Sequence, residues 1–146
     1  MIEINVFIEP NLKNFNINEA NLKALVLDVL KFHKNDSAKI SIIFSKYQVL
    51  KELKIKFFNI DSNTDVIAFN LNEDIKNIDG EIYISPEIAK KNSRKFKNSF
   101  DDEIRRLIIH GTLHLIGYLD NNKTQKVKMN NIENEFLKKN LLELVC

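Results

Sequence analysis

The chain has 146 residues, 44% of them hydrophobic and 29% charged, with a net charge of +2, the make-up of one ordinary globular domain able to build a core without staples. One cysteine, Cys146, excludes an intramolecular disulfide and a cysteine-based zinc site. Three widely spaced glycines, Gly80, Gly111 and Gly117, cannot form a GxGxxG turn or a P-loop, so no nucleotide cofactor is expected.

Glu3 to Ile8 alternates as a first strand, and Asn18 to Phe32 carries apolar residues at helical spacing behind an Asn cap. The segment AKISIIF, 38–44, reads as a buried strand, and Ser45 is placed to cap the helix after it. Asp61 to Thr64 is a polar turn, and Asp65 to Phe69 a short apolar strand. Asp79-Gly80 is expected to turn the chain into a strand ending at Ser85. Ser85-Pro86 pairs a cap with proline at the first helical position, opening a helix to about Lys95. The basic run Lys90 to Lys97 reads as a solvated face. Ser99 with Asp102 resembles a capping box for a helix whose apolar positions are Ile104, Leu107, Ile108 and Leu115, ending at Gly117. A last helix covers roughly Thr124 to Leu141. The order βαβαββααα predicts an α+β fold: one domain over 1–146, with a mixed sheet of about four strands covered by helices. The longest apolar run, Leu107 to Leu119, is too short to cross a bilayer, and Met1-Ile-Glu-Ile-Asn has no signal-peptide character, so no membrane and a cytoplasmic location are expected.

Chemistry concentrates in the helix of the C-terminal third. The chain has only three histidines, and His110 and His114 stand four residues apart, which puts both imidazoles on one helical face. Catalytic zinc takes three protein ligands and keeps one position open. Asp120 follows the Gly117 turn, where the chain can fold back over the last helical turn. A carboxylate at the negative end of a helix dipole is unfavourable by about 0.3–1 kcal/mol, a sign that a cation reverses. Gly111 costs roughly 1 kcal/mol against Ala in a helix interior, which points to close approach by another segment or by substrate. It also stands where an HExxH protease needs its Glu, so a protease is disfavoured. Two packed core histidines remain the plainer alternative to a metal pair.

The run His110-Gly111-Thr112-Leu113-His114-Leu115-Ile116-Gly117-Tyr118-Leu119-Asp120 resembles the motif HGxLHLxGYDH of the YbeY endoribonucleases, matching seven of its nine fixed positions. Upstream, the family's LNxxYRGxDxPTDVLSF aligns without gaps on Leu53 to Phe69, sharing Leu53, Asp61, Thr64, Asp65, Val66 and Phe69, and its GDIxIS is similar to Gly80 to Ser85. Met129 and Glu133 stand where the family's last helix carries Met and Glu. The resemblance implies a metal-dependent, single-strand-specific endoribonuclease of ribosomal RNA maturation, including the 3′ end of 16S, and of ribosome quality control. It also implies one zinc per chain on His110, His114 and Asp120, with single-stranded ribosomal RNA and the ribosome as partners.

Two departures bear on mechanism. The family's third ligand His falls on Asp120; two His and one carboxylate is an accepted zinc set, but the anionic ligand should leave bound water less acidified, giving a less reactive or higher-pH enzyme. Nickel, cobalt and manganese suit the same donors. Phe58 takes the place of the family's Arg and cannot stabilise charge developing on phosphorus. Lys56 or Lys54 on the neighbouring turn is the expected substitute, without the bidentate fork. Phe57 and Phe58 read as packing aromatics, with base stacking by Phe58 as the alternative. Asp65 and Glu81 are read either as site contributors or as turn and solvent residues, and His33 as a solvated or capping residue. Two rival functions stay open: an RNA- or ribosome-associated binding protein of the same fold with weakened or lost cleavage, and another small hydrolase using the same triad.

Overall fold

The computed structural model describes residues 1–146. Nine elements follow in the expected order: β1 (Ile2–Ile8), α1 (Glu19–Phe32), β2 (Ala38–Phe44), α2 (Tyr47–Phe58), β3 (Val66–Asn70), β4 (Ile78–Ile84), α3 (Pro86–Lys95), α4 (Phe100–Ile116) and α5 (Lys123–Lys139). The strands form one mixed sheet in the order β1-β2-β4-β3, in which β1, β2 and β4 run parallel and the edge strand β3 is antiparallel to β4. This is the expected α+β architecture.

Period-two patterning decides which face of the sheet is covered. Ile40, Ile42 and Phe44 of β2 and Ile78, Ile82 and Ile84 of β4 are buried, while the intervening Lys39, Ser41, Asp79, Glu81 and Tyr83 stay half-buried or exposed. Against the buried face packs α1, whose Leu22, Leu25, Val26, Val29 and Leu30 are fully buried, each worth about 1.5–3 kcal/mol of transfer free energy. Beside α1, α4 brings Ile104, Ile108, Ile109, Leu113 and Leu115 into the same core.

Local chemistry starts and stops these helices. Asn18 Oδ1 accepts from the Asn21 amide at 3.0 Å, Ser85 Oγ from Ile88 at 3.3 Å and Ser99 Oγ from Asp102 at 3.0 Å, satisfying amides that have no partner within their own helices. Two expectations are corrected. Lys46, not Ser45, occupies the cap of α2 and makes no side-chain cap hydrogen bond, because the Ser45 backbone is already tied to β4 through Ile84 O and its side chain is buried. Asp79-Gly80 is not a turn but lies within β4, paired with Lys39 and Ile40. The reversal before it is made by Asn72 to Asn77, where Asp74 accepts from the Lys76 amide at 2.9 Å and from Asn77 Nδ2 at 2.9 Å, a side-chain turn that competes with sheet pairing.

At the C-terminal end of α4 the backbone turns sharply. Gly117 takes φ +120°, its amide donates to His114 O, and the Tyr118 amide donates to Leu113 O at 3.0 Å. This closure satisfies the last carbonyls and needs a residue without Cβ at the glycine. It sends Tyr118 to Asp120 back along the helix. Gly111 serves close approach: a Cβ there would lie 2.6 Å from Ile82 Cγ2. The missing side chain lets α4 sit down on β4 beside the two histidines.

Candidate metal centre

His110 and His114 project from the last turns of α4, and the returning loop places Asp120 against them. His110 Nε2 and His114 Nε2 are 3.1 Å apart, and Asp120 Oδ2 lies 3.2 Å from His114 Nε2 and 3.5 Å from His110 Nε2. Tetrahedral bonds of about 2.0–2.1 Å put neighbouring ligand atoms about 3.3 Å apart, so this triangle fits one zinc-sized cation.

The far side of each imidazole is occupied by an acceptor. His110 Nδ1 donates to Glu133 Oε2 at 2.7 Å and His114 Nδ1 donates to the Tyr118 carbonyl at 2.9 Å. Each Nδ1 therefore carries a proton, and each Nε2 turns a lone pair toward the other and toward the Asp120 carboxylate. Three lone pairs at this spacing repel unless a proton or a cation lies among them, and the donor set fits a metal.

Glu133 is itself held. It is 4% exposed on its α5 face, and its Oε1 accepts from Arg106 Nη1 at 2.9 Å, while Arg106 also donates to Asn130 and Asn134. A carboxylate behind a ligating histidine fixes its ring orientation and raises its basicity. Burial pulls the His110 pKa down, but the hydrogen bond and charge of Glu133, then the charges of Asp120 and Asp65, outweigh it and leave the group above the ordinary imidazole value.

The three donors open into a cleft of about 550 Å³ whose opposite wall includes Lys54, Phe58, Ile60 and β3 with its leading residues Thr64 and Asp65. Asp65 is half-buried and accepts from Asn92 Nδ2 of α3 at 3.0 Å. Lys56 does not line the cleft: two residues from Lys54 it falls on the other side of α2, where its Nζ lies 5.3 Å from the Phe57 ring centre. Lys54 is the cation on this wall. Glu81 is not among the lining residues; it accepts from Tyr83 Oη along the same face of β4 at 3.5 Å. His33 does close α1, donating from Nδ1 to Val29 O at 2.7 Å, but its Nε2 also meets Tyr118 Oη at 2.9 Å and so braces the loop that carries Asp120.

Sequence reasoning missed the roles of Glu133 and the Tyr118 carbonyl. Glu133 had a signal, since it is an acidic residue at a matched position of the family's last helix, but its partner lies 23 residues away. A backbone carbonyl leaves no residue-type signature at all.

No helix is long and apolar enough to cross a membrane. A family profile described as Endoribonuclease YbeY matches residues 7–140. A relative of that name from Karelsulcia muelleri (strain GWSS) is 46% identical over 98 residues, covering 67% of this chain and 69% of its own length. Another, from Chloroherpeton thalassium, is 33% identical over 134 residues, covering 92% and 94%. A Thermotoga maritima protein solved in solution shares the fold with TM-score 0.63 and 31% identity, over 95% of this chain and 88% of that one. With the aligned motif, the convergent donors and these matches together, the chain belongs to the YbeY family of endoribonucleases.

Proposed function

We propose that this chain is a zinc-dependent endoribonuclease acting on single-stranded RNA, with ribosomal RNA, including the 3′ end of 16S, as its substrate and the ribosome as its partner in the cytoplasm. The observation that carries the reading is the convergence of His110 Nε2, His114 Nε2 and Asp120 Oδ2 at 3.1–3.5 Å on the wall of an open cleft. A divalent cation held there supplies Lewis acidity, polarising a phosphoryl oxygen and acidifying water. Glu133 and the Tyr118 carbonyl keep both Nε2 lone pairs aimed at it. Asp120 supplies negative charge, so the site works at higher pH than a set of three neutral imidazoles. Lys54 stands across the cleft to offset charge on the scissile phosphate, as a point charge without the geometry of a guanidinium.

Elemental analysis of protein purified without added metal or a histidine tag tests this. Wild type should carry about one zinc per chain, Asp120→Ala should lose or weaken it, and RNA cleavage should fall with it. No bound metal and no uptake on adding zinc would sink the hydrolase reading.

A second reading, an RNA- or ribosome-binding protein with weakened cleavage, is favoured by one observation. Phe58 is an apolar ring on the cleft wall, at the position aligned with the family's arginine. Phe58→Arg separates the two: a rise in kcat of roughly tenfold or more marks a weakened enzyme, given that a single well-placed charge-stabilising donor is worth about 10²–10³. No rise leaves the arginine's role filled by Lys54 or cleavage absent.

A further inference from the structure

We propose that Phe58 is a nucleobase-stacking platform at the mouth of the metal cleft, a subsite for the base of a nucleotide that adjoins the scissile phosphate. The inference rests on the RNA reading above and adds where one base is held. The C-terminal turn of α2 and the residues after it leave Phe57, Phe58 and Ile60 about half exposed (57%, 50% and 49%), a cluster of large apolar side chains that calls for a partner. Of the two phenylalanines only Phe58 lines the cavity shared by His110, His114 and Asp120. Phe57 stands edge-on to Phe69 at 64°, while Phe58 lies nearly parallel to it, at 14° with ring centres 5.8 Å apart. Phe69 is in turn braced by Tyr83 at 6.0 Å. The Phe58 ring is thus half exposed at the cleft and lies parallel to a packed inner ring, which presents a flat surface of the kind an unpaired base stacks on.

Charge places the backbone of the same nucleotide. Lys54 is one helical turn before Phe58, on the same side of α2, and lines the same cavity. Single-strand binding sites combine an aromatic face for the base with a cation for the phosphate, and they accept any base because every base has a π-face. Two carboxylates share this cavity, Asp120 of the candidate triad and Asp65, which accepts from Asn92, and Lys54 is the one lysine or arginine on it that draws a phosphate. Replacing arginine by phenylalanine therefore exchanges a charge contact for a stacking contact, and the substrate is held by its base where this chain lacks the guanidinium.

The chain has no tryptophan, so Phe58→Trp installs its single tryptophan, excited apart from the tyrosines, at the proposed surface. The experiment titrates a short single-stranded oligoribonucleotide, made uncleavable by 2′-methoxy groups, into wild type, Phe58→Trp and Phe58→Leu at one salt concentration, with metal content measured on each. The expected result is tight binding by wild type and Trp, quenching of the Trp emission on binding, and affinity about 5- to 100-fold lower for Leu at unchanged metal content. Leu binding as tightly as wild type, or Trp emission unmoved by bound RNA, overturns the stacking assignment and leaves the RNA reading standing. Failure of wild type itself to bind RNA overturns both. Concentration-dependent dimerisation lost in Phe58→Leu, with RNA affinity unchanged, would assign the patch to a second copy of the chain and overturn it too.

Discussion

On the α4 side of the cleft every donor is held in place by a second residue: His110 by Glu133, His114 by the Tyr118 carbonyl, and the loop bearing Asp120 by the bond between Tyr118 and His33. Across the cleft, α2 buries only Leu50 fully, has no side-chain cap, and ends on exposed aromatics. The metal side keeps seven of nine motif positions and exchanges its third ligand only for another ligating residue, Asp120, whereas the far wall has exchanged an arginine for a phenylalanine. A metal tolerates displacement of its ligands by only a few tenths of an ångström, whereas a single strand can be held by charge or by stacking. Rigid support therefore gathers where geometry is demanding, and substitution is accepted where chemistry offers alternatives.

Glu133→Gln and Lys54→Ala, measured side by side, break this comparison if it is wrong. Glu133→Gln keeps the shape but loses the charge behind His110, and zinc affinity should fall about 10- to 100-fold by competition with a chromophoric chelator. Lys54→Ala should leave zinc affinity unchanged, weaken RNA binding modestly and lower the slope of log affinity against log salt by about 0.7, the value of one phosphate contact on a single strand. Equal loss of zinc in the two variants would mean that the walls are one cooperative unit.

Next in size is Gly111→Ala, which sharpens the claim that α4 is seated rather than merely adjacent. The new Cβ would meet Ile82 Cγ2 at 2.6 Å, and that methyl is fixed to Cβ of a β-branched residue and cannot swing away. Overpacking costs about 1–3 kcal/mol, of which roughly 1 kcal/mol is returned by helix propensity. A net loss of up to about 2 kcal/mol in urea unfolding is expected from the difference, vanishing in an Ile82→Ala background where the space exists. Because Gly111 adjoins His110, zinc affinity should fall in the single variant and recover in the double.

How far these features were legible from sequence follows the range of the interactions that make them. The helix bearing His110 and His114, its stop at Gly117 and the return to Asp120 are set within eleven residues, so spacing suggests their convergence while leaving packed core histidines as an alternative. The order of elements followed from alternation and caps, and Asn18, Ser85 and Ser99 cap as expected because a cap bonds three residues on. Ser45 failed as a cap because a distant strand, β4, takes its backbone. Asp79-Gly80 looked like a turn because the dipeptide favours one, but Asp74 had already made the reversal, and β2 captured the pair into the sheet. Lys54 and Lys56 could not be ranked until the side of α2 facing the cleft was known. Glu133 reaches His110 only once α5 has packed on α4.

The smallest effect concerns protons, and its sign separates the metal centre from an ordinary ion pair. In chelated protein His110 has a raised pKa, so its protonated form, paired with Glu133, favours the folded state. That contribution is complete below the unfolded value of about 6.5 and is lost as pH rises through the folded value above it. With zinc the proton on His110 must leave before the ligand can bind, so binding strengthens as pH climbs through the same window. Thermal unfolding between pH 6 and pH 8 should therefore show Tm falling with pH in chelator and rising with pH in zinc, after the trend of an Asp120→Ala, Glu133→Gln double variant is subtracted. Parallel trends would mean that zinc does not displace the His110 proton, and that the three donors converge for the protein's stability alone.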